Sequence, residues 1–223
     1  MVRVSDFDRA FTEGERYQDQ YEGTSAEMVV ERRVIGELLV PTGEIVACDP
    51  LTFFPEIEGF AVRAPTGRYP VVLSIAHIKY DNKDDEEDQR VACAMLQISP
   101  ARPQRWDLAI AAGQDVGTLG EDEFFGYGVD SGTGCFMDKA AVAALDRKHH
   151  EEPEYWQKLI GALDETYVHT RSWGDITLDP ETKLNLIMFS SGWGDGAYPS
   201  FWGYDDNGNV ACLVTDFGVL PGH

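Results

Sequence analysis

The sequence predicts an α+β fold built mainly of antiparallel sheet, with a two-helix insertion at about residues 138–168. Three observations predict it. Runs rich in β-branched and aromatic residues recur through the first 130 residues; after Asp138 the apolar residues switch to helical spacing; the C-terminal third then returns to short apolar runs separated by turn residues. The division expected from this order is an N-terminal helical extension over 1–35, then a single α+β domain over 36–223, either in one piece or as two closely packed lobes.

Taken in order, residues 5–20 start as a short helix, with Ser5 as N-cap and Asp6 and Asp8 in the first turn. "VVERRVIGELLVPTGEIVACDP" reads as strand, Pro41–Thr42–Gly43 turn and strand, which is a hairpin by its turn chemistry. "RYPVVLSIAHIKYD" and "RVACAMLQIS" are two further strands, separated by the solvated acidic loop "NKDDEED". "QRWDLAIAA" and "FFGYGVD" follow as strands. "DKAAVAALDRKHH" and "PEYWQKLIGALDETY" place Ala140, Ala141, Ala144 and Leu145, then Tyr155, Leu159, Leu163 and Tyr167, at helical spacing, with starts at Asp138 and Glu152–Pro153. "KLNLIMFSSG", "YPSFWGYD" and "VACLVTDFGVL" restore the strand pattern, the last two joined across Asn207–Gly208 as a hairpin.

Composition narrows the function classes. The chain sets 18 Lys plus Arg against 39 Asp plus Glu, a net charge of −21, which repels phosphate backbones and anionic membrane surfaces. Neither nucleic acid nor membrane is therefore an expected partner. The N-terminus is too charged for a signal peptide, and no apolar run approaches the roughly 18 residues of a membrane span. A soluble, cytoplasmic protein is expected. Cys48, Cys93, Cys135 and Cys212 form no CxxC pair and sit among apolar residues, so they read as reduced, buried thiols.

The segment "GYGVDSGTGCFMD", Gly126 to Asp138, contains a match to the active-site loop of aspartic proteases. Such enzymes need a second Asp–Ser/Thr–Gly motif to share the proton, and neither Asp195 in "GWGDGAY" nor Asp216 in "VTDFG" supplies one. One motif per subunit of a homodimer would leave more than half the chain unexplained. The structural reading is a tight strand-to-helix connection, with Asp130 or Ser131 capping local amides and the glycines taking positive φ. The same loop lacks the Lys of a P-loop and the spacing of a dinucleotide fingerprint. "DDNGN" lacks the distal Glu of a calcium loop, and the five histidines form no HxH or HExxH pattern, so neither metal nor cofactor is expected.

"LLVPTGEIVACDPL", "YGVDSGTGCFMD" and "FSSGWGDGAYPSFWGYDDNGNVACLVTDF", in this order and from about Gly36 to Leu220, resemble the signature blocks of the bacterial family catalogued as domain of unknown function 4241. The resemblance implies a setting among bacterial accessory and toxin–immunity genes, which fits an acidic protein presenting carboxylates to a basic surface.

Two readings of function result. In the first, the chain is an acidic protein-binding or immunity-type protein whose carboxylates, in the "NKDDEED" loop and the Glu121–Asp122–Glu123 run, meet a basic protein partner. In the second, it is a hydrolase or small-molecule-binding protein with a carboxylate-containing pocket where the VDSGTG and SGWGDG loops meet. Asp130 and Asp195 would then be an acid/base pair or metal ligands, with Ser131, Thr133, Trp193, Tyr198, Trp202 and Asp216 as binding residues. Glycines that admit close approach, aromatic walls and an orienting carboxylate are the composition of a ligand pocket.

Overall fold

The computed structural model describes residues 4–21, 24–81, 87–121 and 123–221. The elements are helix α1 (Phe7–Ala10); strands β1 (Arg16–Tyr21), β2 (Thr24–Val40), β3 (Ile45–Cys48), β4 (Gly67–Tyr80), β5 (Glu87–Gln97), β6 (Arg105–Leu108), β7 (Gly126–Val129) and β8 (Thr133–Asp138); helices α2 (Lys139–Glu151) and α3 (Tyr155–Asp164); and strands β9 (Trp173–Thr177), β10 (Asn185–Ser190), β11 (Gly196–Tyr204) and β12 (Val210–Asp216). The fold is mostly antiparallel sheet with few helices, and α2 and α3 stand where the two-helix insertion is expected.

The strands form two sheets. The larger runs β1-β2-β4-β5-β12-β11-β6, with β7 pairing the start of β11, and the smaller runs β3-β8-β10-β9. One face of the small sheet packs on the large sheet and the other carries α2 and α3, so β3, β8 and β10 are buried on both sides, while the edge strand β9 leaves Asp175 and Thr177 exposed. The two-residue period sorts their side chains: Phe136, Ile187 and Phe189 enter the core between the sheets, while Cys135, Met137, Leu186 and Met188 enter the core beneath the helices. Phe136 and Phe189 meet edge to face at 5.0 Å. Each such ring contributes roughly 1.5–3 kcal/mol through burial. Among the described residues no helix is long and apolar enough to cross a membrane.

Three expectations need correction. Among the described residues of the first 35, only α1 is helical, capped by Asp6 on the Arg9 amide rather than by Ser5; β1 and most of β2 make that segment part of the large sheet. Pro41–Thr42–Gly43 is a turn but not a hairpin, because β2 pairs β1 and β4 whereas β3 pairs β8 in the other sheet. Asp138 fixes that crossover: its fully buried carboxylate accepts from the Thr42 amide at 2.9 Å and from Thr42 Oγ1 at 2.8 Å, and it also caps α2 through the Ala140 amide at 2.8 Å. Finally, the VDSGTG loop leads into strand β8 before the helix begins, and β9 joins the small sheet from a segment with no strand expectation. Residues 82–86 of the expected acidic loop, and Asp122, lie outside the described residues.

Candidate functional site

Three segments converge at one end of the sheets: the loop after β3, the turn between β7 and β8, and the loop between β10 and β11. Asp49 organises the first two. It is 2% exposed, and its Oδ2 accepts from the amides of Asp130 (3.0 Å) and Ser131 (2.7 Å), while Oδ1 accepts from Ser131 Oγ (2.8 Å) and the Leu51 amide (2.9 Å). The cap on the VDSGTG turn therefore comes from Asp49, not from the loop's own Asp130 or Ser131 carboxylate and hydroxyl as expected. Gly132 (φ +65°) then turns the chain so that its amide meets Asp195 Oδ1 at 3.0 Å and its carbonyl accepts from the Ser191 amide at 3.0 Å. Tyr198 closes the third segment, its hydroxyl donating between the carbonyls of Ser191 (3.1 Å) and Gly194 (2.7 Å).

The VDSGTG and SGWGDG loops thus meet, joined by backbone groups and by Asp195. Asp195 is exposed but spends Oδ1 on the Gly132 amide. Asp130, also exposed, faces a different space, a cavity of about 520 Å³ between the loop after β3 and β7. Asp130, Glu56 and Glu58 bring carboxylates to its walls, and Phe53, Phe60 and Tyr127 bring rings. Asp195 does not line it. Phe54 is 75% exposed at its margin. Burial raises the Tyr127 phenol well above its ordinary pKa. Behind the loop, His149 of α2 packs on Phe53 and Tyr155, and burial lowers its pKa, which favours the neutral ring.

The remaining expected binding residues serve elsewhere. Thr133 is buried, its hydroxyl 3.4 Å from the Ser131 carbonyl. Trp193 lies on the surface, with the Arg90 guanidinium 4.9 Å from its ring. Trp202 is fully buried, edge-on to Phe60 at 6.2 Å, and walls a second, mostly apolar cavity of about 750 Å³ with Trp106 and Leu108. Asp216 is buried on the α1 side, where it accepts from Ser5 Oγ and from the Gly218 amide at 2.9 Å. Sequence reasoning missed Asp49, Glu56, Glu58, Phe53 and Phe60. Their signal was present in "CDPLTFFPEIEGF", where an Asp–Pro turn is followed within ten residues by three phenylalanines and two glutamates. Among the described residues no three His, Cys, Asp or Glu side chains are grouped to hold a metal ion.

The family model described as protein of unknown function (DUF4241) matches residues 38–215, and the chain belongs to that family. No curated protein and no solved structure gives a significant match. The matched span covers all three converging segments and leaves α1, β1 and most of β2 outside it.

Proposed function

We propose that the chain binds a small organic cation, a protonated amine or guanidine, in the cavity between the loop after β3 and β7. The observation that carries this reading is the lining: three carboxylates, from Glu56, Glu58 and Asp130, beside the rings of Phe53, Phe60 and Tyr127. Among the described residues none of the three carboxylates forms an ion pair. A volume of about 520 Å³ falls in the range of small-molecule sites. A cation over an aromatic face gains about 0.5–2 kcal/mol, and a guanidinium adds charge-assisted hydrogen bonds to carboxylates. The net charge of −21 further concentrates cations near the protein. The hydrolytic reading of Asp130 and Asp195 has less support, because Asp195 is bonded to the Gly132 amide and stands outside the cavity wall.

A thermal-shift panel of amines and guanidines against neutral and anionic analogues of the same shape tests this. Ligand that binds only the folded state raises the melting temperature. Cations alone should do so; equal shifts from neutral analogues would overturn the reading.

The immunity-type reading, with a basic protein as partner, is favoured by one observation: Phe54, 75% exposed, stands at the rim of this acidic cavity and can pack on a partner whose lysine or arginine enters it. Phe54→Ala separates the two. It should weaken a lysine-rich peptide while sparing a small cation if the partner is a protein.

A further inference from the structure

Cys48 and Cys135 stand directly opposite each other on the antiparallel pair β3 and β8, with their sulfurs 3.7 Å apart. Both thiols are free, and both belong to the core under the helices. Directly opposed residues of an antiparallel pair have Cα atoms about 4.5–5.5 Å apart, inside the window that a disulfide requires. Bond formation therefore needs side-chain rotation and no movement of the strands. The other two cysteines have different surroundings: Cys93 lies against Asp216, and Cys212 packs beneath Gly203.

Cys48, 3% exposed, is among the residues lining the cavity, whereas Cys135 is fully buried. Cys48 immediately precedes Asp49, the residue that holds the VDSGTG turn, and Cys135 follows that turn on β8.

We propose that Cys48 and Cys135 are a redox modification site, converted by a peroxide into an intrachain disulfide that clips β3 to β8 at the floor of the cavity. The Cys48 sulfur attacks the peroxide; its new S–O bond forms as the O–O bond breaks, giving a sulfenic acid and releasing water from hydrogen peroxide. Cys135 then attacks that sulfur, the S–S bond forms, the S–O bond breaks, and the oxygen leaves as a second water carrying the Cys135 proton. Two thiols and one hydrogen peroxide give one disulfide and two waters. Burial raises the Cys135 pKa well above its ordinary value, so the closing step is slow near neutrality and accelerates as pH rises. The clip thus answers sustained oxidant rather than a brief pulse. This chemistry is independent of what the cavity binds.

The test is to treat the full chain with hydrogen peroxide, quench, and read intact mass, denatured thiol count and an unreduced peptide map. The expected result is a loss of 2 Da, a fall from four thiols to two, a single link between Cys48 and Cys135, and full reversal by dithiothreitol. Cys135→Ser should stop at a sulfenic acid on Cys48 that dimedone traps. The proposal is overturned if four thiols survive, or if the link joins other cysteines or two chains. The wild-type peptide map decides the matter even if the variant does not fold.

Discussion

Replacing Asp49 by Asn removes the cap that holds the candidate site together. The carboxylate accepts four hydrogen bonds, two on each oxygen, from the Asp130, Ser131 and Leu51 amides and the Ser131 hydroxyl. Asn keeps one oxygen, so its NH₂ group, which cannot accept, faces either the Asp130 and Ser131 amides or the Leu51 amide and a Ser131 hydroxyl that must turn to accept instead of donate. Hydrogen bonds to a charged group contribute about 1.5–3 kcal/mol each. Relief from burying a charge at a residue only 2% exposed offsets part of the loss. The net expected is about 3 kcal/mol of destabilisation. For a chain of 223 residues that corresponds to a fall in Tm of about 6–12 °C. Urea unfolding followed by tryptophan fluorescence measures the free energy, and hydrogen exchange at the Asp130 and Ser131 amides localises it. A change under about 0.5 kcal/mol with unaltered exchange at those two amides would refute the assignment of Asp49 as the organising residue.

Other perturbations separate structural from functional groups. Asp130→Asn should leave stability within about 0.5 kcal/mol, since the Asp130 backbone, not its carboxylate, makes the recorded bond to Asp49, yet should weaken an organic cation about tenfold. Paired denaturant and binding titrations check both halves. Gly192→Ala should cost about 2–3 kcal/mol in a chemical melt, because Gly192 has φ +57° and an added Cβ would lie 2.8 Å from the Phe217 Cβ; Gly208→Ala, at φ +80° but with open space, should cost about 1 kcal/mol. At Glu31, burial raises the pKa, but hydrogen bonds from His77 and Arg33 outweigh it and hold the carboxyl below its ordinary 4.5. A depressed folded pKa gives stability that is present above the unfolded value and lost as pH falls through the folded one. Glu31→Gln should therefore flatten the decline of stability below about pH 4.5, measured by urea midpoints across an acid series.

Local chemistry made much of the fold legible. Ala141, Ala144, Leu145, Leu159 and Leu163 are buried as their helical spacing predicts, and Asn207–Gly208 closes the β11–β12 hairpin. Where the sequence misled, the deciding partner lay far along the chain. Pro41–Thr42–Gly43 has sound turn chemistry, but Asp138, 96 residues on, sends the following strand into the other sheet. In β9, "WGDIT" buries only Gly174 and Ile176, and β1 is a polar edge strand with Tyr17 buried. Neither has enough apolar residues to announce a strand; pairing with a neighbour makes them one. The small-molecule reading supposed that the two glycine-rich loops meet, but their composition could not place them side by side; the Gly132–Asp195 bond spans 63 residues. That Asp49, 81 residues before Asp130, would hold the turn was not foreseeable either, because a short-range reading assigns a turn's amides to its own side chains.

The central claim, that the cavity selects positive charge, is tested most directly by isothermal titration of benzamidine and of its neutral counterpart benzamide into the wild type and Asp130→Asn. The account predicts saturable binding at one site per chain, benzamidine at least about tenfold tighter than benzamide, and a smaller gap in Asp130→Asn. Equal affinities for the two compounds, or a preference that Asp130→Asn leaves untouched, would contradict it.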